Sequence, residues 1–271
     1  MVVNAALEHT GERMVPEASD RCTFWEHVYR YRFARELATG ARVLDVASGE
    51  GYGAAALLAS GASQVIGVDV SQPACEHARR KYGIDARVGS AEHLPLRDGC
   101  VDLVTSFETI EHLARPEAFL SECARVLRPG GRIVISTPES HAYGQGRPNP
   151  FHSAEMTREQ FRSRMRRVFQ EVRLFHQRPL WAAWWSARSL AAERSVWQRI
   201  PGSRYAWRLA QLGLCPEVVS PRSLRRARRD PVATIIGDGG RAPSLGNPFA
   251  IRPETDFSQE LPTYVIAVGR R

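Results

Sequence analysis

The sequence predicts an α/β protein built on one open, mostly parallel sheet with helices on both faces. Three observations carry that expectation. Val43-Leu44-Asp45-Val46 is an apolar, β-branched-rich run that stops in the alternating glycines Gly49, Gly51 and Gly53; the helix-forming run Ala54 to Leu58 follows, giving strand, tight turn and helix. A second such run, Gln64 to Val70, carries an acid, Asp69, at its end. A third, Cys100 to Phe107, has the continuous apolar character of a central parallel strand.

Taken in order, residues 1–23 are polar, hold the turn-like Thr10 to Pro16, and read as an N-terminal arm. From Trp25 to Leu37 the positions Val28, Tyr31, Ala34 and Leu37 recur at helical spacing, with Gly40 as the stop. His27, Arg30 and Tyr31 could reach a ligand from this helix, but packing or solvation is the favoured reading for His27 and Arg30. In the glycine turn, main-chain N–H groups at a helix N-terminus can face a nucleotide-like ligand with no Cβ in the way. Gly49-x-Gly51-x-x-Ala54 also fits the looser dinucleotide fingerprint. Asp45 decides between ligands: a carboxylate there repels a pyrophosphate yet neutralises the amino group of an amino-acid-bearing ligand, which favours S-adenosylmethionine over NAD(P). Asp69, about twenty residues beyond the turn, is placed to accept hydrogen bonds from ribose hydroxyls. Ser71 before Pro73 supplies the cap of the next helix, so Asp69 is not needed for capping.

After a short strand at Ala86 to Val88, the loop Gly89 to Leu96 leaves the carboxyl edge, where Ser90, Ala91 and Glu92 can meet an adenine base. The strand Cys100 to Phe107 runs into Glu108, Glu111 and His112 at its tip. Pro116 opens a helix that Pro129-Gly130-Gly131 ends, and Arg132 to Thr137 is the fifth strand. His141 to Pro150 reads as a long loop over the rim, and Thr157 to Gln160 as a capping box. Gln170 to Gln177 is a sixth strand and Thr263 to Gly269 a seventh.

At this point VLDVASGEGYG, GVDVS, GSAEHLPLRDGCVDLVTSFETIEHL and RVLRPGGRIVISTP, in order over residues 43–138, resemble successive motifs of class I S-adenosylmethionine-dependent methyltransferases. The resemblance is strongest to the bacterial branch with ubiquinone-biosynthesis O-methyltransferases and small-molecule or glycan methyltransferases. It implies a Rossmann-like sheet of seven strands in the order 3-2-1-4-5-7-6, with an antiparallel last strand. It also implies that Asp45, Ala47, Gly49, Gly51 and Gly53 line the methionine part, Asp69 and Val70 the ribose and adenine, Ala91 and Glu92 the base, and Phe107 the sulfonium side. TGERMVPE, the HxxRY pattern from His27 to Tyr31, and NPFH with Glu155 resemble bacterial members linked with glycan tailoring; Arg13, Tyr31 and Ser90 complete the expected cofactor set. Ala47-Ser48 departs from relatives that carry glycine or cysteine there.

The expected organisation is an arm and helix over 1–40, a cofactor-binding core over 41–178, a helical and mobile insertion over 179–261, and a final core strand over 262–271. The insertion holds Trp181, Trp184, Trp185, Trp197 and Trp207, and could form a substrate lid, a homodimer contact or a membrane-surface patch. Its stretch from Pro221 to Asp256 opens with Arg222, Arg225, Arg226, Arg228 and Arg229 and is expected to be mobile; a solvated basic loop outranks a phosphate site.

A net charge of +8 with Lys81 as the only lysine reads as an arginine bias, so nucleic acid is not the default partner. Five cysteines without a CxxC pair point to neither disulfides nor zinc, and no apolar run approaches spanning length; a cytoplasmic protein is expected. The chemistry expected is methyl transfer to a hydroxyl of a small-molecule or sugar acceptor. A hydroxyl needs a base near the methyl group, and His112 is the first choice, with Glu108 and His152 next and Glu111 and His141 in reserve. No metal is assigned, since Glu108, Glu111 and His112 are too close in sequence to count as a site without geometry. N- or C-methylation, RNA methylation and non-catalytic cofactor binding are the alternatives.

Overall fold

The computed structural model describes residues 14–19, 21–141, 152–153, 155–179, 221–237, 251–254 and 262–271. Eight strands form one sheet: β1 (Arg42–Val46), β2 (Gln64–Asp69), β3 (Asp85–Val88), β4 (Val101–Phe107), β5 (Leu127–Pro138), β6 (Gln170–Pro179), β7 (Ile251–Pro253) and β8 (Pro262–Arg270). Their order is β3-β2-β1-β4-β5-β8-β6-β7, with β1 to β5 parallel and β8 antiparallel to both β5 and β6. This is the expected order with one strand more. β7 comes from the insertion and pairs with the outer edge of β6.

Helices α1 (Arg21–Ala38), α2 (Tyr52–Ala59) and α3 (Gln72–Tyr82) contribute to the core on one face, which includes Trp25, Val28, Ala34, Leu57 and Ala78. Helices α4 (Pro116–Val126) and α5 (Arg158–Val168) contribute to the other, with Phe119, Leu120, Phe161 and Met165. Local chemistry explains the helix starts. Ser71 accepts the Ala74 N–H ahead of α3 with Pro73 in its first turn, and Thr157 and Gln160 exchange both bonds of the capping box at α5.

Three expectations are corrected. Pro129-Gly130-Gly131 does not lie between helix and strand but within β5, where Leu127 pairs with Val101 and Arg132 with Leu103 across a bulge, and Gly130 adopts φ 76°. The glycine permits a backbone turn that keeps both flanks in the ladder. The arm is not wholly polar in role, since Met14 and Val15 are buried. The region from Pro221 is also not a mobile basic loop over its described part: α6 (Pro221–Arg229) and α7 (Pro231–Ile236) pack on the α1–α2 face. Leu224, Ala227 and Ile235 enter that core, while Arg225, Arg226 and Arg229 face solvent. Arg32 donates to the Thr234 carbonyl at 2.7 Å and Arg35 to the Ile236 carbonyl at 2.8 Å, where a helix C-terminus leaves carbonyls unpaired. The five tryptophans of the insertion, the rim loop over 142–150 and Arg13 lie outside the described residues.

Candidate functional site

The carboxyl ends of β1, β2 and β4 meet at one edge, and the glycine turn lies between β1 and α2. Ala47, Gly49 and Gly51 all hold positive φ, at 56°, 54° and 86°. Two of the motif glycines have packing reasons that the sequence does not reveal. A Cβ on Gly51 would lie 2.5 Å from the Cβ of Ala78, and one on Gly53 would lie 1.9 Å from the Tyr31 ring. Tyr31 therefore sits directly over the turn. Its hydroxyl donates to Asp45 at 3.0 Å, its ring meets Phe107 edge-on at 4.9 Å and Tyr52 at 5.6 Å, and Tyr52 reaches His27 at 3.2 Å.

Asp45 is buried and accepts a second bond from Thr105 at 2.7 Å. Burial raises its pKa to about 7, against the pull of the Thr105 and Tyr31 hydrogen bonds, and the nearby Asp69 adds to the rise. Asp69 accepts the N–H groups of Gly49 and Ser71, both at 2.8 Å, which ties the glycine turn to the end of β2. Val70 beside it is 78% exposed, an apolar ledge on the rim. In the β3 loop, Ser90 accepts the Glu92 N–H at 3.1 Å, and the Glu92 carboxylate binds Arg115 through the backbone N–H at 2.6 Å and the guanidinium at 3.1 Å. The structure therefore gives Glu92 a protein partner for both the N–H and the carboxylate expected to meet a base; Ala91 packs partly against the α4 side core.

At the tip of β4 a second constellation forms. Glu108 has φ 52°, and its backbone N–H donates to the Ser136 hydroxyl at 3.2 Å while that hydroxyl donates to Oε1 of Glu108 at 2.7 Å. This reciprocal pair holds a left-handed conformation that a non-glycine residue rarely adopts. Arg30, 1% exposed, lies 3.4 Å from the same carboxylate oxygen, donates to Gln177 at 2.8 Å and stacks 4.3 Å from the centroid of Tyr264. A 3₁₀ turn (Ile110–His112) then places Glu111 inward and His112 toward the half-buried rim. Ser153 fastens the distant segment to this turn through its N–H, 2.9 Å from the Glu111 carbonyl, and so delivers His152, whose ring meets His112 edge-on at 4.9 Å. Glu155 bonds Nδ1 of His152 at 2.9 Å. Burial raises the pKa of Glu108, opposed chiefly by Arg30, and raises that of Glu111 strongly, with the Glu108 charge adding to it.

The expected catalytic set, His112, Glu108 and His152, is thus brought to one place, with Glu111 among them. His141 is not: its ring is 65% exposed beside Glu139. Sequence reasoning passed over Thr105, Ser136 and Gln177, and set Arg30 aside as a packing or solvated residue. Thr105 and Ser136 carried a usable signal, as polar residues inside otherwise apolar strands; Arg30 and Gln177 carried none, because nothing local shows that they meet.

A family profile described as a methyltransferase domain matches residues 44–135, the span holding the glycine turn, Asp69 and the β4 tip. Over that span the chain carries a methyltransferase domain similar to those of class I S-adenosylmethionine-dependent methyltransferases. The chain is 42% identical over 157 residues to a Mycolicibacterium smegmatis protein named "Probable S-adenosylmethionine-dependent methyltransferase", covering 56% of this chain and 61% of that protein. It is 39% identical over 114 residues to a ubiquinone biosynthesis O-methyltransferase of Xanthomonas oryzae, covering 40% and 47% respectively. In fold it resembles a S-adenosylmethionine-dependent methyltransferase structure from Archaeoglobus fulgidus, with TM-score 0.54, 16% identity and coverage of 93% and 95%. The chain spans about three fifths of the length of the mycobacterial relatives it matches.

The residues present fit the family's cofactor, S-adenosylmethionine. A buried carboxylate adjoins the glycine turn, a second is fixed at the end of β2, and the exposed Val70 offers an apolar face beside it for a purine. Among the described residues, no helix is long and apolar enough to cross a membrane.

Proposed function

We propose that this chain transfers a methyl group to a hydroxyl of a small molecule or sugar. The observation that carries the reading is the convergence of Glu108, Glu111, His112 and His152 at the tip of β4, next to Phe107 and the Asp45 end of the glycine turn. S-adenosylmethionine supplies an activated methyl group on a sulfonium that is already a leaving group. The protein then has to position an acceptor and remove its proton. Asp69 and Val70 would hold the ribose and adenine, and Asp45, Gly49 and Tyr31 the methionine end. At the other end His112 would take the hydroxyl proton, with Arg30 and Ser136 fixing Glu108 beside it. The similarity to a ubiquinone biosynthesis O-methyltransferase supports oxygen as the target atom.

Calorimetric titration with S-adenosylhomocysteine tests the cofactor assignment, alongside Asp69→Ala. Losing two charge-assisted hydrogen bonds, each worth about 1.5–3 kcal/mol, should cost roughly 10²- to 10⁴-fold in affinity. Folded wild-type protein that binds none would overturn the reading. With binding established, a screen of sugar and phenolic hydroxyls against amine acceptors tests the target atom; transfer to amines alone would overturn the O-methyltransferase assignment.

A further inference from the structure

We propose that Glu111, His112 and His152 form a binding site for one divalent transition ion of the Zn²⁺ type, open on one side to an acceptor. One ligand atom from each residue lies within 4.8 Å of those of the other two. A tetrahedral ion with bonds of about 2.0–2.1 Å holds its ligand atoms about 3.3 Å apart, so modest side-chain rotation closes the shell. Imidazole and carboxylate donors favour zinc and its transition-metal neighbours over Mg²⁺ or Ca²⁺, which take all-oxygen shells. Three protein ligands among the described residues, with the fourth position left to an acceptor, is the arrangement of catalytic rather than structural zinc.

A second observation points to a ligand independently of the clustering. Glu111 is 0% exposed, and its Oε1 has no hydrogen-bond partner among the described residues. A buried carboxylate oxygen left without a partner is costly, and a cation bound there would satisfy it. The supports for a metal shell are also present. Thr137 donates to the other oxygen of Glu111 at 3.3 Å, and Glu155 engages Nδ1 of His152 at 2.9 Å. A carboxylate on one imidazole nitrogen fixes the tautomer, raises ring basicity and assigns the other nitrogen, Nε2, to the ion. Ser153, clamped on the Glu111 carbonyl, keeps the His152 segment in register with the 3₁₀ turn.

The site stands on these side chains alone, while its use in acidifying an acceptor hydroxyl rests on the function proposed above. In that role His112 holds the ion instead of taking the proton itself: a hydroxyl oxygen docks at the open position, the ion lowers its pKa, and its proton passes to solvent.

The test is titration of chelator-treated, tag-free full-length protein with Co²⁺, read by visible absorption, and with Zn²⁺, read by calorimetry. One equivalent should bind, with the intense visible bands of low-coordinate Co²⁺ carrying imidazole ligands. His152→Ala should weaken binding at least tenfold, and Glu155→Gln, which removes only the support, by about 10- to 100-fold. Glu111→Gln alters a buried group, so the two loop variants carry the decision if it fails to fold. Absence of binding by the wild type, or wild-type affinity in folded His152→Ala and His112→Ala, would overturn the site. Titrating S-adenosylhomocysteine into the same metal-free protein separates the two proposals: binding there with no metal uptake sinks the ion site alone, and metal uptake without it sinks the methyltransferase reading alone.

Discussion

The two ends of the carboxyl edge are made in different ways. The cofactor end is assembled over a short range: Gly49 bonds Asp69 twenty residues away, Ser71 bonds Asp69 within the same turn, and β1 and β2 lie side by side. The end proposed to meet the acceptor draws Arg30, Glu108 to His112, Ser136, His152 to Glu155, Gln177 and Tyr264 from six separate stretches of chain. The first end is largely backbone geometry, positive-φ positions and N–H groups. The second is a set of ionisable side chains whose burial sets their charge. A shared cofactor needs the first to stay fixed, whereas different acceptors can be served by varying the second on the same sheet.

Substitutions can break that division. The largest effect should come from His112→Ala, which removes the assigned base and should lower turnover of a hydroxyl acceptor by roughly 10²- to 10⁴-fold. S-adenosylhomocysteine affinity should change less than threefold; a parallel loss of both would mean the two ends are one unit. Gly53→Ala should act at the opposite end. The new methyl group collides with Tyr31, so a destabilisation of roughly 1–3 kcal/mol is expected in thermal melts, together with weaker cofactor binding. Unchanged stability would show that Tyr31 moves aside freely.

A smaller effect comes from pH. The folded state holds the Asp45 proton up to about pH 7, whereas the unfolded chain releases it near 3.8, so this group's contribution to stability falls as pH rises through that window. Cofactor binding should run the other way. An ammonium at Asp45 favours the carboxylate, so S-adenosylhomocysteine affinity should rise up to tenfold per unit as pH approaches 7 and level off above, with proton release detectable by calorimetry in buffers of different ionisation enthalpy. A flat profile would place the ammonium away from Asp45. The smallest effect is expected of Ala47→Gly, which removes a side chain at φ 56° and should raise stability by up to about 1 kcal/mol, provided the gain outweighs the flexibility glycine adds to the unfolded chain.

The legibility of the sequence follows the same division. Gly49, Gly51 and Asp69 could be placed from spacing alone, since a strand, a turn and the acid of the next parallel strand have few arrangements in space. The Thr157–Gln160 capping box and Ser71 cap were equally local. Glu108 and His112 could be placed at a strand tip, yet their partners could not: Arg30 lies 78 residues before Glu108 and read as a packing or solvated helix residue. The Pro129-Gly130-Gly131 bulge and the packing of α6 and α7 were missed because both depend on what a neighbouring element offers. A bulge needs the opposing strand, and Leu224, Ala227 and Ile235 needed an apolar face to cover.

What the sequence by itself determined is the alternation of strands and helices, the glycine turn and the acids at strand ends, because dihedral preference, hydrophobic period and short-range hydrogen bonding fix them within a few tens of residues. Only the tertiary structure decided which side chains meet at the proposed acceptor end, that Tyr31 lies over Gly53, and that Glu111 keeps an oxygen unpartnered among the described residues beside two histidines. Those outcomes depend on burial and on contacts between segments far apart in the chain, and no local preference encodes where a distant segment will pack.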